Sequence, residues 1–378
     1  MPVDTRYVCA VGVAISHELP ADFSLAVAVV SFVSSLWFFR ANGSILSIQM
    51  RGNRPTRTDV ANRAGVAPST VTLILNDRAL SLGIKEATRL RVEEAAKELG
   101  YYPNRHIRAI RSGRTGVFGL YLRSDQWGVA IGYWAMMIAS IERAVSEADF
   151  QLLVHCARED CSTEEAFARQ AGGVVDGVLI LNSGSDPIAQ RLMATGMNAV
   201  EVGDCFSPLP YVAVDAAQGI QLVMEHLKAR GYKRPSYVKF DSPYLESAKQ
   251  RLDEFSAASQ RMYETPVPTY VVKSGNEALE KILASDPRPD AAVCSSDELA
   301  HEIRVAARGR GLRIPEDLAL TGFDCIQTVG VDQVMTSVCT PLNDLARLAV
   351  QKLIAMSEGR PHERQTILPV SLRIGETT

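Results

Sequence analysis

The stretch TRTDVANRAGVAPSTVTLILND, from Thr56 to Asp77, decides the fold of the N-terminal part of the chain. Thr58 is the predicted N-cap of a short helix. The apolar face of this helix consists of Val60, Ala61 and Ala64. Gly65 ends the helix and supplies a tight turn. Pro68 then opens a second helix at its first turn, where the missing N–H costs nothing.

The second helix is predicted to be amphipathic, and a third helix is predicted from Lys85 to Leu99, closed by Gly100. The inward residues of the second helix are Val71, Ile74 and Leu75, and its outward residues are Ser69, Thr70 and Thr72. The buried stripe of the third helix is Leu90, Val92, Ala95, Ala96 and Leu99. Two short helices joined by a glycine turn and followed by a third predict a helix-turn-helix, although a plain three-helix packing unit has the same pattern.

Charge separates this segment from the rest of the chain. The segment from Arg51 to Arg114 contains 13 lysines and arginines and 6 acidic residues, which gives it a charge of +7. Because the net charge of the whole chain is −3, the rest of the chain carries −10. A basic head on an acidic body is typical of a module that meets phosphates, joined to one that does not.

A basic linker, YYPNRHIRAIRSGRTG, follows from Tyr101 to Gly116. A short helix here would set Arg105 and Arg108 beside Ile110. Basic side chains hold phosphates, and an apolar side chain wedged between base steps kinks DNA from the minor groove. An ordinary solvated basic linker is the alternative interpretation.

From Val117 onward, short apolar runs alternate with amphipathic helical segments over more than two hundred residues. Examples are VFGLYL, VDGVLIL, AAVCSS and LALTGFD. Strands that alternate with helices predict a parallel sheet with right-handed crossovers, and this length predicts two such sheets.

The N-terminal extension, residues 1–55, does not continue this pattern. Phe23 to Phe39 forms 17 uncharged, mostly apolar residues, slightly fewer than the ~20 that a membrane helix needs. Three interpretations compete: a marginal membrane anchor, a packing extension, or a segment outside the working protein because translation starts at Met50. We favour the third, which predicts no stable membrane association.

The motifs of other chemistries are absent from the sequence. The 7 cysteines are scattered, which predicts small core residues in a reducing compartment rather than a zinc site or a disulfide framework. We find no GxSxG, HExxH, P-loop or strand-linked GxGxxG. We therefore expect no enzyme, no metal and no cofactor.

The run from Thr56 to Gly116 closely resembles the DNA-binding head and hinge of LacI (lactose-repressor)-type transcriptional regulators, and the resemblance continues to Thr378. It implies a lambda-repressor-like helix-turn-helix head over 56–103, a hinge over 104–115 and an α/β body over 116–378. The body would consist of two periplasmic-binding-protein-like, parallel-sheet subdomains, with chain crossovers near Val212, Ile326 and Pro361.

The resemblance also implies DNA-contacting residues in the head and hinge. Pro68 and Ser69 fall where the family's recognition helix meets base edges, and Ile110 falls where its hinge inserts a leucine. The other predicted DNA-binding residues are Thr58, Thr70, Thr72, Leu73, Asn76, Asn104, Arg105 and Arg108. Leu73 departs from the arginine often found at its position, which favours an apolar contact such as a thymine methyl.

An effector site is implied in the cleft between the subdomains, since ligands of such folds bind outside the carboxyl ends of strands. The predicted effector-binding residues are Tyr133, Trp134, Asp204, Arg251 and Asp297, of which Asp204 is a weaker candidate, as is Asp215. A guanidinium, a carboxylate and an aromatic face favour a sugar or sugar acid. Tyr133 and Trp134 equally suit the core or a dimer interface. Several neighbours depart from the family pattern, namely Ala216, Ser296 and Cys325, which leaves a purine, another metabolite or no ligand as alternatives.

The expected mechanism is that of a cytoplasmic, nucleoid-associated repressor. A homodimer would place two heads on an inverted-repeat, double-stranded operator, and a sugar-like effector would shift the cleft and the spacing of the hinges. The C-terminal run ILPVSLRIGETT lacks leucine heptads, which favours a dimer over a tetramer. The alternative is a periplasmic-type sugar-binding protein with an N-terminal anchor, a class that has no use for a DNA-reading head.

Overall fold

The computed structural model describes residues 55–75, 83–102, 109, 113–123, 131–158, 160–181, 186–203, 207–241, 246–263, 267–326 and 333–378. The chain divides into two compact units, Met1–Pro103 and Asn104–Thr378. Phe23 to Phe39 and Met50 lie outside the described residues, so the interpretations of the N-terminal extension stay predictions. Among the residues that are described, no helix has both the length and the apolar character to cross a membrane.

The described part of the first unit is a three-helix head. Its helices are α1 (Arg57–Ala64), α2 (Pro68–Ile74) and α3 (Glu86–Leu99). The predicted cap of α1 was wrong: Thr56 is the N-cap, and Thr58 is an exposed residue of the first turn. The Thr56 hydroxyl accepts from the Asp59 N–H at 3.3 Å, while the Asp59 carboxylate accepts from the Thr56 N–H at 2.7 Å. This reciprocal capping box satisfies two free donors at the helix start.

The turn between α1 and α2 forms as predicted. Gly65 has φ +64°, the left-handed conformation that a side chain with a Cβ rarely adopts. Pro68 is the first residue of α2. Arg57 reaches from α1 to the Thr72 hydroxyl on α2 at 3.2 Å, and Arg63 pairs with Glu98 on α3 at 2.8 Å.

The core of the head is small and aliphatic. Its buried members are Val60, Ala61, Ala64, Val71, Ile74, Val92, Ala95 and Ala96. Two members of the predicted stripe on α3 were wrong, because Leu90 is 52% exposed and Leu99 is 36% exposed. The other three members of the predicted stripe, Val92, Ala95 and Ala96, are buried in this core.

The second unit contains two six-stranded sheets joined by helices. The strands are β1 (Val117–Arg123), β2 (Gln151–Ala157), β3 (Gly177–Leu181), β4 (Ala199–Gly203), β5 (Tyr211–Val214), β6 (Pro235–Phe240), β7 (Thr269–Val272), β8 (Ala291–Cys294), β9 (Ala319–Phe323), β10 (Thr336–Cys339), β11 (Gln365–Leu368) and β12 (Ser371–Arg373). The helices are α4 (Ile131–Glu147), α5 (Thr163–Ala171), α6 (Ile188–Ala194), α7 (Ala216–Ala229), α8 (Glu246–Met262), α9 (Gly275–Leu283), α10 (Asp297–Gly309) and α11 (Leu342–Ser357).

Each sheet forms the centre of one lobe. The first lobe has the strand order β11-β5-β4-β3-β1-β2, all parallel, and the second has β12-β10-β9-β8-β6-β7, in which only β12 is antiparallel. Helices cover both faces of each sheet, α4 and α11 opposite α5 and α6 in the first lobe, and α7 and α8 opposite α9 and α10 in the second. Burial on both faces explains the continuous apolar runs of the strands. The predicted two parallel-sheet subdomains are confirmed.

The chain crosses between the lobes three times. The first crossing lies between Val214 and Ala216, close to the predicted position near Val212. The predictions near Ile326 and Pro361 were wrong, because β10 still belongs to the second sheet and β11 to the first. The second crossing therefore follows Cys339, and the third lies between Leu368 and Ser371.

The prediction that the cysteines form no disulfide was also wrong. Cys325, just after β9, is bonded to Cys339 at the end of β10. Because β9 and β10 are neighbouring parallel strands, their carboxyl ends bring together two cysteines that are 14 residues apart in sequence. Cys294 is buried and free in the second lobe, as expected of a small core residue.

Candidate DNA-binding face and ligand cleft

Helix α2 presents the predicted DNA-contacting side chains. Ser69 is exposed, and Pro68, Thr70, Thr72 and Leu73 are half-buried. Val71 and Ile74 point into the head core, so the helix has one apolar and one polar face, as predicted. The Thr72 hydroxyl donates to the Pro68 carbonyl at 3.1 Å, so its contacts with a phosphate would compete with a bond inside the helix.

Several predicted DNA-binding residues fall outside the part of the chain that the structure describes. They are Asn76, Asn104, Arg105, Arg108 and Ile110. Their roles, including that of Ile110 as a wedge, stay predictions.

The carboxyl ends of the strands gather a polar cluster in the first lobe. At the end of β1, Tyr121 donates from its hydroxyl to Asp186 at 2.7 Å, and Arg123 lies 3.7 Å from the same carboxylate. Asp186 also accepts from the Ile188 N–H at 2.9 Å. Burial and the neighbouring Asp186 raise the pKa of Tyr121, so its phenol stays a hydrogen-bond donor. Asp204, predicted to join this edge, lies outside the described residues.

Arg251 forms the centre of the corresponding cluster in the second lobe. Its guanidinium carbon lies 3.7 Å from the centroid of the Phe323 ring, a cation–π contact, and its Nη1 donates to the Ser295 carbonyl at 2.5 Å. The buried Nε of Arg251 has no hydrogen-bond partner within the described chain. Its charge opposes the burial that raises the pKa of Asp324. Arg251 therefore lies at the edge of the sheet where the resemblance places it, with one donor atom still free.

Asp297 is buried, and the protein already uses both of its oxygens. Ser337 donates to Oδ1 at 2.5 Å and the Ile326 N–H donates to Oδ2 at 2.6 Å. A Cβ on Gly322 would lie 1.9 Å from Oδ1, so glycine is required beside this carboxylate. Burial, its largest influence, raises the pKa of Asp297 to about 7. Asp297 thus ties the loop after β9 to strand β10, and its predicted contact with an effector stays a prediction.

The predicted aromatic pair divides between two environments. Trp134 is buried in the core of the first lobe, so the core interpretation fits it. Tyr133 is half-buried and packs edge-to-face against Trp134, with ring centroids 5.0 Å apart. A Cβ on Gly203 would lie 2.8 Å from the Tyr133 hydroxyl. Tyr133 therefore lies against the carboxyl end of β4. Asp215 caps α7 through the Gln218 N–H at 2.8 Å and has a structural role.

Sequence reasoning missed four side chains of this region. They are Arg123, Asp186, Phe323 and Asp324. Each lies at or just after the end of a predicted strand, so the rule that ligands bind beyond strand carboxyl ends would have selected them. A surface groove of about 580 Å³ between α9 and α10 is not part of this region, since Gly309 and Arg310 at the far end of α10 help to line it.

Two family models match the chain in the order of its units. Residues 56–104 match the model "Bacterial regulatory proteins, lacI family". Residues 224–378 match the model "Periplasmic binding protein-like domain".

Curated relatives match over both units. The HTH-type transcriptional regulator CelR of Thermobifida fusca is 30% identical over 320 residues, which cover 80% of this chain and 93% of that protein. The chain belongs to the LacI family of bacterial regulatory proteins. The HTH-type transcriptional repressor PurR of Klebsiella pneumoniae (strain 342) is 26% identical over 82% of this chain and 93% of that repressor. Like them, the protein is a DNA-binding transcriptional regulator.

Solved structures of the LacI family share the fold. A lac repressor dimer bound to operator and the anti-inducer ONPF superposes with a TM-score of 0.74 at 22% identity, over 85% of this chain and 98% of that chain. A complex of the transcriptional regulator CelR with cellobiose has a TM-score of 0.62 at 27% identity, over 86% of this chain and 100% of that chain. The predicted fold of a helix-turn-helix head followed by two periplasmic-binding-protein-like lobes is thereby confirmed.

Proposed function

We propose that this LacI-family regulator is a repressor that binds an inverted-repeat operator as a homodimer and responds to a sugar or sugar acid bound between its two lobes. The observation that carries the proposal is the combination in one chain of a helix-turn-helix head with two lobes that place Arg123, Asp186 and Arg251 near the carboxyl ends of their strands. The domain limits 56–103, 104–115 and 116–378 are part of the proposal.

The chemistry of the cleft supports a polyol ligand with an acidic group or many hydroxyls. Arg251 offers a guanidinium flanked by the Phe323 ring, and its Nε is an unused donor. Asp186, held by Tyr121 and Arg123, supplies a carboxylate on the first lobe. Planar donors, carboxylates and an aromatic face together read hydroxyl groups with fixed geometry. Cellobiose, the ligand in the CelR complex, belongs to this chemical class.

Exposed apolar side chains support self-association. Leu153 and Val154 are 39% and 45% exposed on β2, the outer strand of the first sheet, and Val271 is 40% exposed on β7, the outer strand of the second. Two edge strands with exposed aliphatic side chains are a typical contact surface for a second copy. A two-fold dimer would present two heads to the two halves of an inverted repeat.

The test is selection of bound sequences from random double-stranded DNA by the full chain, with and without a panel of sugars and sugar acids. Enrichment of an inverted repeat whose recovery changes with one compound is the expected result. An Arg251→Met variant serves as the control: it should enrich the same repeat and no longer respond to the compound.

Two results would contradict the proposal. If folded protein enriches no sequence but binds a sugar, the body acts as a binding protein without DNA reading. If an inverted repeat is enriched and no sugar or sugar acid alters its recovery, the ligand class is wrong.

A further inference from the structure

The first turn of α10 carries a carboxylate that the predicted effector site does not include. Glu298 belongs to the second lobe, yet its Oε1 accepts from the Gly132 N–H of α4, in the first lobe, at 2.6 Å. The Tyr133 N–H also faces Glu298. The carboxylate therefore lies between the N-termini of two helices, where the partial positive charge of free N–H groups favours an anion.

The surroundings of this contact are shaped to fit it. A Cβ on Gly132 would lie 3.0 Å from Glu298 Oε1 and 3.0 Å from Ile326 Cγ2. Ile326 follows β9 of the second lobe, but it packs against the apolar core of the first lobe. Glycine at position 132 thus admits both an acidic and an apolar side chain from the opposite lobe. Two adjacent contacts, one polar and one apolar, join the lobes at this point.

The carboxylate of Glu298 is subject to two opposing influences, its burial among other acids and its bonds to backbone N–H groups. Burial raises the pKa of Glu298 to about 7, and the nearby carboxylates of Asp324 and Glu302 act in the same direction. The N–H groups of Gly132 and Tyr133 oppose this shift by stabilising the charged form. Separation of the lobes would return this half-buried carboxylate to water. Its bonds to the N–H groups of Gly132 and Tyr133 oppose that separation.

We propose that Glu298 is a latch that holds the two lobes together at the mouth of the cleft, by occupying the N-terminus of α4 before any effector binds. An effector that separates α4 from α10 must break this bond. The free energy of breaking the bond then reduces the affinity of the effector. A regulator needs two arrangements of its lobes with a small energy difference, and the latch stabilises one of them. The regulatory role of the latch rests on the proposed function. The contact itself requires neither DNA nor effector.

The same helix offers a matched control. Glu302, one turn later on α10, accepts from the Gly275 N–H at 2.7 Å, at the first residue of α9. This bond has the same chemistry as the latch, but both of its partners belong to the second lobe. Replacing Glu302 therefore removes an equivalent bond without touching the lobe boundary.

The test is amide hydrogen exchange on the full chain, resolved to single residues, without DNA or effector. Glu298→Ala should accelerate exchange at Gly132 and Tyr133 by about 10-fold or more, the effect expected for a hydrogen bond to a charged group. Glu298→Gln, which still accepts a hydrogen bond, should give an intermediate rate. Glu302→Ala should accelerate exchange at Gly275 without accelerating it at Gly132, because it only relieves the repulsion between Glu302 and Glu298.

A second variant approaches the latch from the other lobe. Gly132→Ala places a methyl group against Glu298 and Ile326, and it should accelerate exchange at Tyr133 as Glu298→Ala does. The latch would be overturned if exchange at Gly132 and Tyr133 were the same in Glu298→Ala and in the unaltered protein. It would also be overturned if Glu298→Ala accelerated exchange at Gly132 and Tyr133 no more than exchange in α9. Either result would leave the selection of an operator, and hence the proposed function, unaffected.

Discussion

The carboxyl groups around β9 and β10 show how the position of single residues sets the chemistry of the cleft. Asp297, Glu298 and Asp324 all have raised pKa values, and burial is the largest cause for each. Each is held by specific donors, among them Ser337 for Asp297 and Thr340, at 3.1 Å, for Asp324. Such acids bind protons more tightly in the folded than in the unfolded state, and this difference makes stability depend on pH.

We expect the stability of the protein to fall as pH rises from 6.5 to 8. The pKa of Asp297 is about 7 in the folded protein against an ordinary value of 3.8. Until pH is about one unit above the folded pKa, the folded state holds more protons than the unfolded state, so stability falls as pH rises through 7 and levels off toward pH 8. Asp297→Asn should flatten the dependence of the melting temperature on pH in this window, although Glu298 and Asp324 keep part of it.

Asp317→Asn is the control for this measurement. Asp317 is half-buried, and hydrogen bonds from Arg313 lower its pKa, so it titrates only at acidic pH. Below pH 6.5 the lowered pKa values of His155, His226 and His301 act in the opposite direction, which is why the window stops there. A slope that is equal in both variants and in the unaltered protein would contradict the assignment to Asp297.

The cap of α1 gives a second test at the scale of the residue. Thr56→Ala removes one half of the capping box and should destabilise the helix by ~1 kcal/mol, which speeds amide exchange in α1 about fivefold. Thr58→Ala should leave exchange in α1 unchanged, because Thr58 is an exposed residue of the first turn with no role in the cap. If Thr58→Ala sped amide exchange in α1 and Thr56→Ala did not, Thr58 would be the cap.

At the scale of the element, the head is a scaffold for one helix. Helix α2 is only 7 residues long, and it is held by the packing of Val71 and Ile74 rather than by a side-chain cap. A helix this short is unstable alone, so tertiary contacts keep Ser69 and Thr70 in place. We expect the hinge that follows the head to supply the remaining contacts with DNA.

The hinge prediction concerns Ile110. Ile110→Gly should weaken binding to the selected operator much more than binding to unrelated DNA, because an apolar wedge acts only where the minor groove is opened. Ile110→Leu keeps the wedge and should bind like the unaltered protein. Filter or fluorescence titrations with both DNAs decide the question, and an equal loss on both would exclude the wedge.

At the scale of the whole molecule, the two sheets each leave one outer strand, β2 or β7, far in strand order from the crossings between the lobes. Helices cover both faces of the sheets, but the aliphatic residues on these two strands stay exposed to solvent. If a second copy covers them, operator binding depends on dimerisation. Binding to two half-sites at once then raises the affinity far beyond that of one head.

Val154→Asp should shift the protein from dimer to monomer in light scattering and weaken operator binding by at least about 10-fold, since a buried unpaired charge costs several kcal/mol. Ile367→Asp is the matched control. Ile367 is 56% exposed on β11, at the opposite edge of the same sheet. A dimer that survives Val154→Asp and dissociates with Ile367→Asp would place the interface on the other edge.

The sequence by itself determined the order of the elements and the class of the protein. The glycine turn at Gly65, the proline at the start of α2 and the apolar runs of β1, β3 and β9 are local signals, because backbone conformation and burial on both faces depend on nearby residues. The resemblance to the LacI family, carried by the motif from Thr56 to Gly116, was confirmed by the relatives.

Only the tertiary structure decided where the chain crosses between the lobes and which charges meet there. Strand β10 has just four residues, and its polar Thr336 and Ser337 are typical of a loop in sequence. In the fold both are buried, and they are hydrogen-bonded to Thr377 and Asp297. The bond between Glu298 and Gly132 joins residues 166 positions apart, and no local pattern encodes such a pairing. Most buried polar groups are hydrogen-bonded, and the partners of these groups are distant in sequence, so the sites become visible once the fold has brought the partners together.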